Sequence, residues 1–171
     1  MATRFGSEAT PVAIETRQVI DLTFRVTDLS GNPIAIGGKV EEMRVKETPT
    51  EITIDLAADV LFEFDKAEVL PAAKETLTKA ATFVRDAKGV VRIEGHTDSK
   101  GDDEYNLRLS LRRAESIRNW FVASGAISGA QFSVEGAGEK KPVAANEKPD
   151  GSDDPSGRQK NRRVTIVVRK Q

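Results

Sequence analysis

The chain has 171 residues, 31% of them charged and 38% hydrophobic, with a formal net charge of −1. That suffices for one domain with a real core, and it excludes a wholly disordered chain and a globally basic nucleic-acid binder. Cysteine is absent, which excludes disulfides, thiolate nucleophiles and cysteine-held zinc.

Residues 1–16 carry no clear period and are expected to be a flexible N-terminus. They hold no apolar run of signal-peptide length, and no run of about 18 apolar residues occurs anywhere. No membrane span is expected, and any signal or lipid anchor is expected to be absent from this chain. Ile20, Leu22, Phe24 and Val26 alternate with polar residues as a half-buried strand does, and SGNP at 30–33 reads as a turn. IAIGGKVEEMRV offers a second strand, and EITIDL a third with Ile52, Ile54 and Leu56 on one face. Residues 17–56 are therefore expected to form a β-rich extension ahead of a main domain at 57–171.

The rhythm changes at Asp59. VLFEF at 60–64 predicts a short strand. Leu70-Pro71 opens a helix with proline just inside its start, and Ala73, Leu77, Ala80, Ala81 and Val84 form its inward face. VVRIEGH at 90–96 predicts a strand, 104–123 a helix, QFSVEGAG at 131–138 a strand and RRVTIVVR at 162–169 a last strand. Residues 139–160 hold three prolines and no hydrophobic period, which predicts a long exposed loop. The expected fold class is α/β, a two-layer sandwich of order β-α-β-α-β-β with a mixed sheet.

The densest pattern is GHTDSKGDDEYNLRLSLRRA at 95–114. At 100° per residue, Leu107, Leu111, Ala114, Ile117 and Phe121 make the helix face expected to meet the sheet. Arg112 points away from that stripe, to solvent. Arg113 sits at its flank, as does Asn106 about 10 Å earlier along the axis. Asp98 falls where the preceding strand ends, the usual place for ligands in open α/β sheets. A carboxylate there and a guanidinium on the next helix suit a zwitterion, with Asp98 taking an ammonium and Arg113 a carboxylate. The same two residues also suit a structural salt bridge, and residue chemistry leaves both readings open.

These residues carry a resemblance. Gly95, His96, Thr97, Asp98, Gly101, Asn106, Leu109, Ser110, Arg113, Ala114 and Ile117 fit the signature of the OmpA-like peptidoglycan-associating domain. LFEFDKAEVLPAAKETL, the segment from Ser133 to Gly138 with Glu139 and Pro142, and NRRVTIVV are similar to its supporting segments, so the likeness spans about 55–170. The resemblance implies non-covalent binding of peptidoglycan through the diaminopimelate of its stem peptide, which tethers an envelope protein or the outer membrane to the cell wall. It implies Asp98 at the ammonium, Arg113 at the carboxylate, Asn106 as helper and Asp65 as a polar pocket residue. Thr97 is counted with them. One arginine of Arg162 and Arg163 is expected at the ligand, and the sequence leaves open which. The expected setting is the periplasm. The chain departs from the family pattern in its long acidic loop at 139–160.

Other readings are weaker. His96 with Asp98 supplies two metal ligands where three or four are needed, so no metal or cofactor is expected. No G-x-S-x-G elbow supports a hydrolase, and the expectation is binding without catalysis. GHTDSKG lacks the Gly-Lys-Ser/Thr ending of a phosphate loop. The basic RQKNRRVTIVVRK stretch lacks interleaved aromatics, so nucleic acid is not expected as a partner. The alternative retained is an envelope interaction module of the same fold that meets a protein partner through residues 17–56.

Overall fold

A row of apolar side chains crosses the sheet from strand to strand and fixes its register. The computed structural model describes residues 22–23, 42–85, 87, 89–125, 127 and 130–170. In chain order the elements are β1 (Leu22–Thr23), β2 (Met43–Glu47), β3 (Glu51–Ala57), α1 (Ala58–Leu61), a 3₁₀ turn (Pro71–Ala73), α2 (Lys74–Val84), β4 (Val90–His96), α3 (Asp103–Ala123), β5 (Gln131–Gly138), α4 (Pro155–Asn161) and β6 (Arg163–Arg169). The strands lie in the order β1-β2-β3-β6-β4-β5. Only β4 and β5 run parallel, joined through α3, and the other described pairs are antiparallel. Val45, Ile54, Ile166, Ile93 and Val134 stand opposite one another across five strands. The next row is Met43, Leu56, Val164, Gly95 and Gly136.

One face of this sheet meets α2 and α3 in a single core. Ile54, Leu56, Leu77, Val84, Val91, Ile93, Ile117 and Phe121 are all fully enclosed in it. The architecture is thus the expected two-layer α/β sandwich with a mixed sheet. Met43, Val45, Ile54 and Leu56, from the stretch expected as an extension, belong to the same core. Residues 1–21 and 24–41 lie outside the described residues, and with them the expected flexible N-terminus, most of the first strand and the turn at 30–33.

Two element expectations are corrected. Residues 60–64 are not a strand. The chain leaves β3 into one helical turn, α1, in which Phe62 N–H donates to Ala58 O at 2.9 Å. Leu61 points into the core, and Phe62 makes only an isolated bridge to Val69. The 139–160 segment is not wholly a loop, because α4 starts at Pro155. Asp154 caps it, its Oδ1 accepting from the backbone N–H groups of Ser156 and Gly157 at 3.1 Å. Aspartate at the cap and proline at the first position start a helix without any apolar period.

The inward face of α3 also differs from the stripe expected. Asn106, Leu109, Ser110, Arg113, Ala114, Ile117 and Phe121 are buried, whereas Leu107 and Leu111 are each 38% exposed. The first half of α3 approaches the sheet at Gly95 and Gly136 so closely that backbone and small side chains make the contact. A Cβ on Gly95 would stand 2.0 Å from Ser110 O, and one on Gly136 would stand 2.7 Å from Leu107 O. Arg112 is exposed, as expected.

Candidate functional site

The carboxyl ends of β4 and β5, the first turn of β6, α1 and the first half of α3 converge at one end of the sheet. Thr97 N–H donates to Gly138 O at 2.9 Å and carries the β4–β5 pairing one residue past the strand. Asp98 follows, and its Oδ1 accepts from the backbone N–H of Lys100 at 3.1 Å. Gly101 turns the chain at φ 101°, a left-handed value that glycine adopts without strain. Asn106, buried on α3, then ties the loop down. Its Nδ2 donates to Lys100 O at 3.1 Å, to Asp98 O at 3.4 Å and to Glu139 Oε2 at 3.0 Å.

Asp98 is only 8% exposed, and its carboxylate is met by two guanidinium groups. Arg162 Nη1 donates to Oδ2 at 2.7 Å, and Arg158 Nη1 reaches the same oxygen at 3.3 Å. Arg162 also forks Asp59 through Nε and Nη2, at 2.9 and 2.8 Å. Those bonds, Asp59's first and then Asp98's, raise the pKa of Arg162 above its ordinary value against the cost of burial. Arg158, on α4, forks Asp153 at 2.9 and 2.7 Å, and Lys100 pairs with the same aspartate at 3.2 Å. The far part of the 139–160 segment is thereby latched to the Asp98 turn.

Arg113 is 5% exposed and takes no part in that pairing. Its Nε donates to Lys66 O at 2.9 Å, and its Cζ lies 5.3 Å over the Phe62 ring. Among the described residues its terminal nitrogens have no protein partner. Burial pulls its pKa below the ordinary value, opposed first by the charge of Asp59 and then by that of Asp65. The direct Asp98–Arg113 salt bridge considered above does not form: each has other partners, and Arg162 and Asp59 lie electrostatically between them. Asp65, with φ 60°, accepts from Tyr105 Oη at 2.6 Å, and that bond is the main cause of a raised Tyr105 pKa.

Alternation along β6 separates the arginine pair. Arg162 lies beside Asp98. Arg163 turns to the sheet face away from α2 and α3, donating to Asn161 O at 3.4 Å and Lys141 O at 3.1 Å. Its Nε lies 3.6 Å from Asp55 Oδ1, too far for a hydrogen bond. Sequence reasoning did not single out Asp59, Arg158 or Tyr105 for this site. Arg158 carried one usable signal, the Asp154-Pro155 helix start just before it.

His96 is 2% exposed on β4, and among the described residues neither ring nitrogen has a hydrogen-bond partner. Burial first, then the charge of Arg163, lowers its pKa to about 4, with Glu94 opposing and Lys141 adding. Folding therefore favours the neutral ring. Stability is complete above the unfolded value of about 6.5 and falls as the pH drops towards 4, because the unfolded chain takes up the proton first. Between pH 7.5 and 4 the wild type should lose about 3 kcal/mol more than His96→Gln in urea titrations. Parallel loss in both proteins would dissociate the effect from His96.

A family model described as OmpA family matches residues 61–154. The chain belongs to the OmpA family. This OmpA-family chain is 36% identical over 143 residues to the outer-membrane lipoprotein YfiB of Pseudomonas aeruginosa, covering 83% of itself and 79% of the relative. It is 37% identical over 112 residues to the peptidoglycan-binding protein ArfA of Mycobacterium bovis, covering 64% and 32%. Among solved structures it resembles the cell wall anchor of the type VI secretion system of Pseudomonas aeruginosa, with a TM-score of 0.63 and 28% identity over 76% of this chain and 89% of that one. Some curated relatives are much longer: the chain spans 15% of one to which it is 40% identical over 133 residues.

Proposed function

We propose that this chain binds peptidoglycan non-covalently and ties an envelope component to the cell wall. The observation that carries the reading is Arg113: a buried guanidinium held through Nε and over Phe62, with its tip unpartnered among the described residues. A tip fixed in this way suits a bidentate grip on a carboxylate. Asp98 supplies the opposite charge. An incoming ammonium would share Oδ2 with Arg162 or take the place of Arg158, whose bond is the longer. Together they suit the zwitterionic end of a diaminopimelate side chain in the stem peptide. The relatives support the polymer, since one is named a peptidoglycan-binding protein and another a cell wall anchor. They support the cell envelope as the setting, and an outer-membrane lipoprotein among them favours its periplasmic side. The reading is of a binding protein without catalysis.

Co-sedimentation with purified sacculi tests this. Asp98→Ala and Arg113→Lys should each weaken binding about ten- to a hundredfold, the size of one lost charge-assisted bond at roughly 1.5–3 kcal/mol. Lysine keeps the charge and loses the fork. Arg112→Ala should bind as wild type does. Wild type left in the supernatant would sink the reading, and muropeptides altered on incubation would replace it with an enzymatic one.

A further inference from the structure

The two guanidinium groups on Asp98 are arranged alike and held unequally. Each forks an aspartate of its own and spares one nitrogen for Asp98 Oδ2. Arg162 forks Asp59, and its Nη1 meets Oδ2 at 2.7 Å. Arg158 forks Asp153 through Nε and Nη2 at 2.9 and 2.7 Å, while its Nη1 lies 3.3 Å from Oδ2. That last bond is the longest of the set and hence the weakest. Asp153 is also the first cause of the raised pKa of Arg158, and Asp98 a lesser one.

The backbone that carries Arg158 is fixed. Asn161, at the end of α4, is bonded to Val143, Ala144 and Asn146. Gly157 packs so closely that a Cβ there would stand 1.8 Å from Ala145 O. The helix is therefore held at both ends of its contact, and the side chain of Arg158 is what can change partner. Asp153 is exposed and bonded to Lys100 as well, so it keeps the guanidinium at the surface without help from Asp98. Asp98 is in the opposite position. A buried carboxylate without a cation is costly, so the empty site needs its counter-charge. Once an ammonium arrives, a third cation at one oxygen is repelled by the other two.

We propose that Arg158 is a displaceable counter-ion that sets the affinity of the site: it neutralises Asp98 while the site is empty, and yields to the ligand's ammonium by falling back on Asp153. The inference rests on the reading that Asp98 receives that ammonium. It assigns opposite effects to two residues joined by a salt bridge. Arg158 competes with the ligand, and Asp153 draws the competitor away.

The test is an NMR titration of the full chain with meso-diaminopimelate, read at the amides of Thr97, Lys100 and Gly101. Arg158→Gln should bind about two- to fivefold tighter than wild type, the size of one partly exposed ion pair. Asp153→Asn, at an exposed position, leaves Arg158 with Asp98 alone and should bind about two- to fivefold weaker. In the double variant that loss should vanish, so that it binds as tightly as Arg158→Gln does. A purely structural role for the Arg158–Asp153 pair would instead weaken binding in both single variants. Binding by Arg158→Gln no tighter than wild type, wild-type affinity in Asp153→Asn, or a double variant as weak as Asp153→Asn would overturn the counter-ion and leave the Asp98 reading standing. Absence of shifts in wild type and Arg158→Gln alike would overturn the Asp98 reading and the counter-ion with it.

Discussion

Gly95→Ala should destabilise the domain by about 3 kcal/mol or more, at the upper end of what overpacking costs. The new Cβ would stand 2.0 Å from the carbonyl oxygen of Ser110 and 2.7 Å from its carbonyl carbon. Both are helix backbone, so no side-chain rotation relieves the clash. Gly136, opposite Gly95 on β5, is under the same constraint from Leu107 O and Leu111 N. The pair forms a trough in which α3 rests. Lifting α3 out would break the bond from Gly138 N–H to Ser110 Oγ at 2.9 Å and loosen Ala114, Ile117 and Phe121 from the core. Gly89→Ala is the control: nothing lies within 4 Å of the point its methyl group would occupy, so a change within about 0.5 kcal/mol is expected. Urea unfolding of both variants decides, and Gly95→Ala within about 1 kcal/mol of wild type would mean that α3 can shift freely.

The second large effect is expected at Asn161. This residue has no exposed surface, and its amide satisfies four groups. Oδ1 accepts from the backbone N–H groups of Val143 and Ala144 at 2.8 and 3.0 Å, and Nδ2 donates to Ala144 O at 2.8 Å and Asn146 Oδ1 at 2.9 Å. Asn161→Ala strands two donors and two acceptors, each partly buried, and should cost on the order of 2–4 kcal/mol. The loss should be local as well as global. Amide exchange at Val143 and Ala144 should accelerate, and the 139–154 segment should become a protease site. Asn161→Asp keeps both accepted bonds but buries a carboxylate oxygen against two acceptors, Ala144 O and Asn146 Oδ1, so it should cost at least as much as alanine at neutral pH. Unchanged stability in Asn161→Ala would mean that the four bonds contribute nothing.

The strands and long helices were legible because period and burial coincide in them, as in Ile54/Leu56 of β3 and Val164/Ile166/Val168 of β6. The helical wheel failed locally, at Leu107 and Leu111. It assumes that large apolar residues make the contact, and here two glycines bring the backbone itself into contact. That displacement also explains why Arg113, expected at a flank, is enclosed over Phe62. The two poles of the proposed site, Asp98 and Arg113, are expectations of the sequence, and the structure brings both to the same end of the sheet. Their surroundings could not: Arg162 meets Asp59 across 103 positions and Asp98 across 64. Strand alternation would have told that Arg162 and Arg163 part ways, but not which way, until the partner strands of β6 were known.

The position of β6 has a consequence for how the chain acquires its fold. The strand made last among those described is the one between β3 and β4, pairing Ile54 on one side with Ile93 on the other through Ile166. Until it arrives, β2–β3 and β4–β5 are two separate hairpin-like and crossover units with no shared hydrogen bonds. A chain emerging amino end first can therefore collapse in pieces but cannot close this sheet before residues 163–169 are free. Closure couples the most distant segments of the sequence, which makes it slow compared with local helix formation. It also leaves the two halves of the sheet free to move against each other until β6 docks between them.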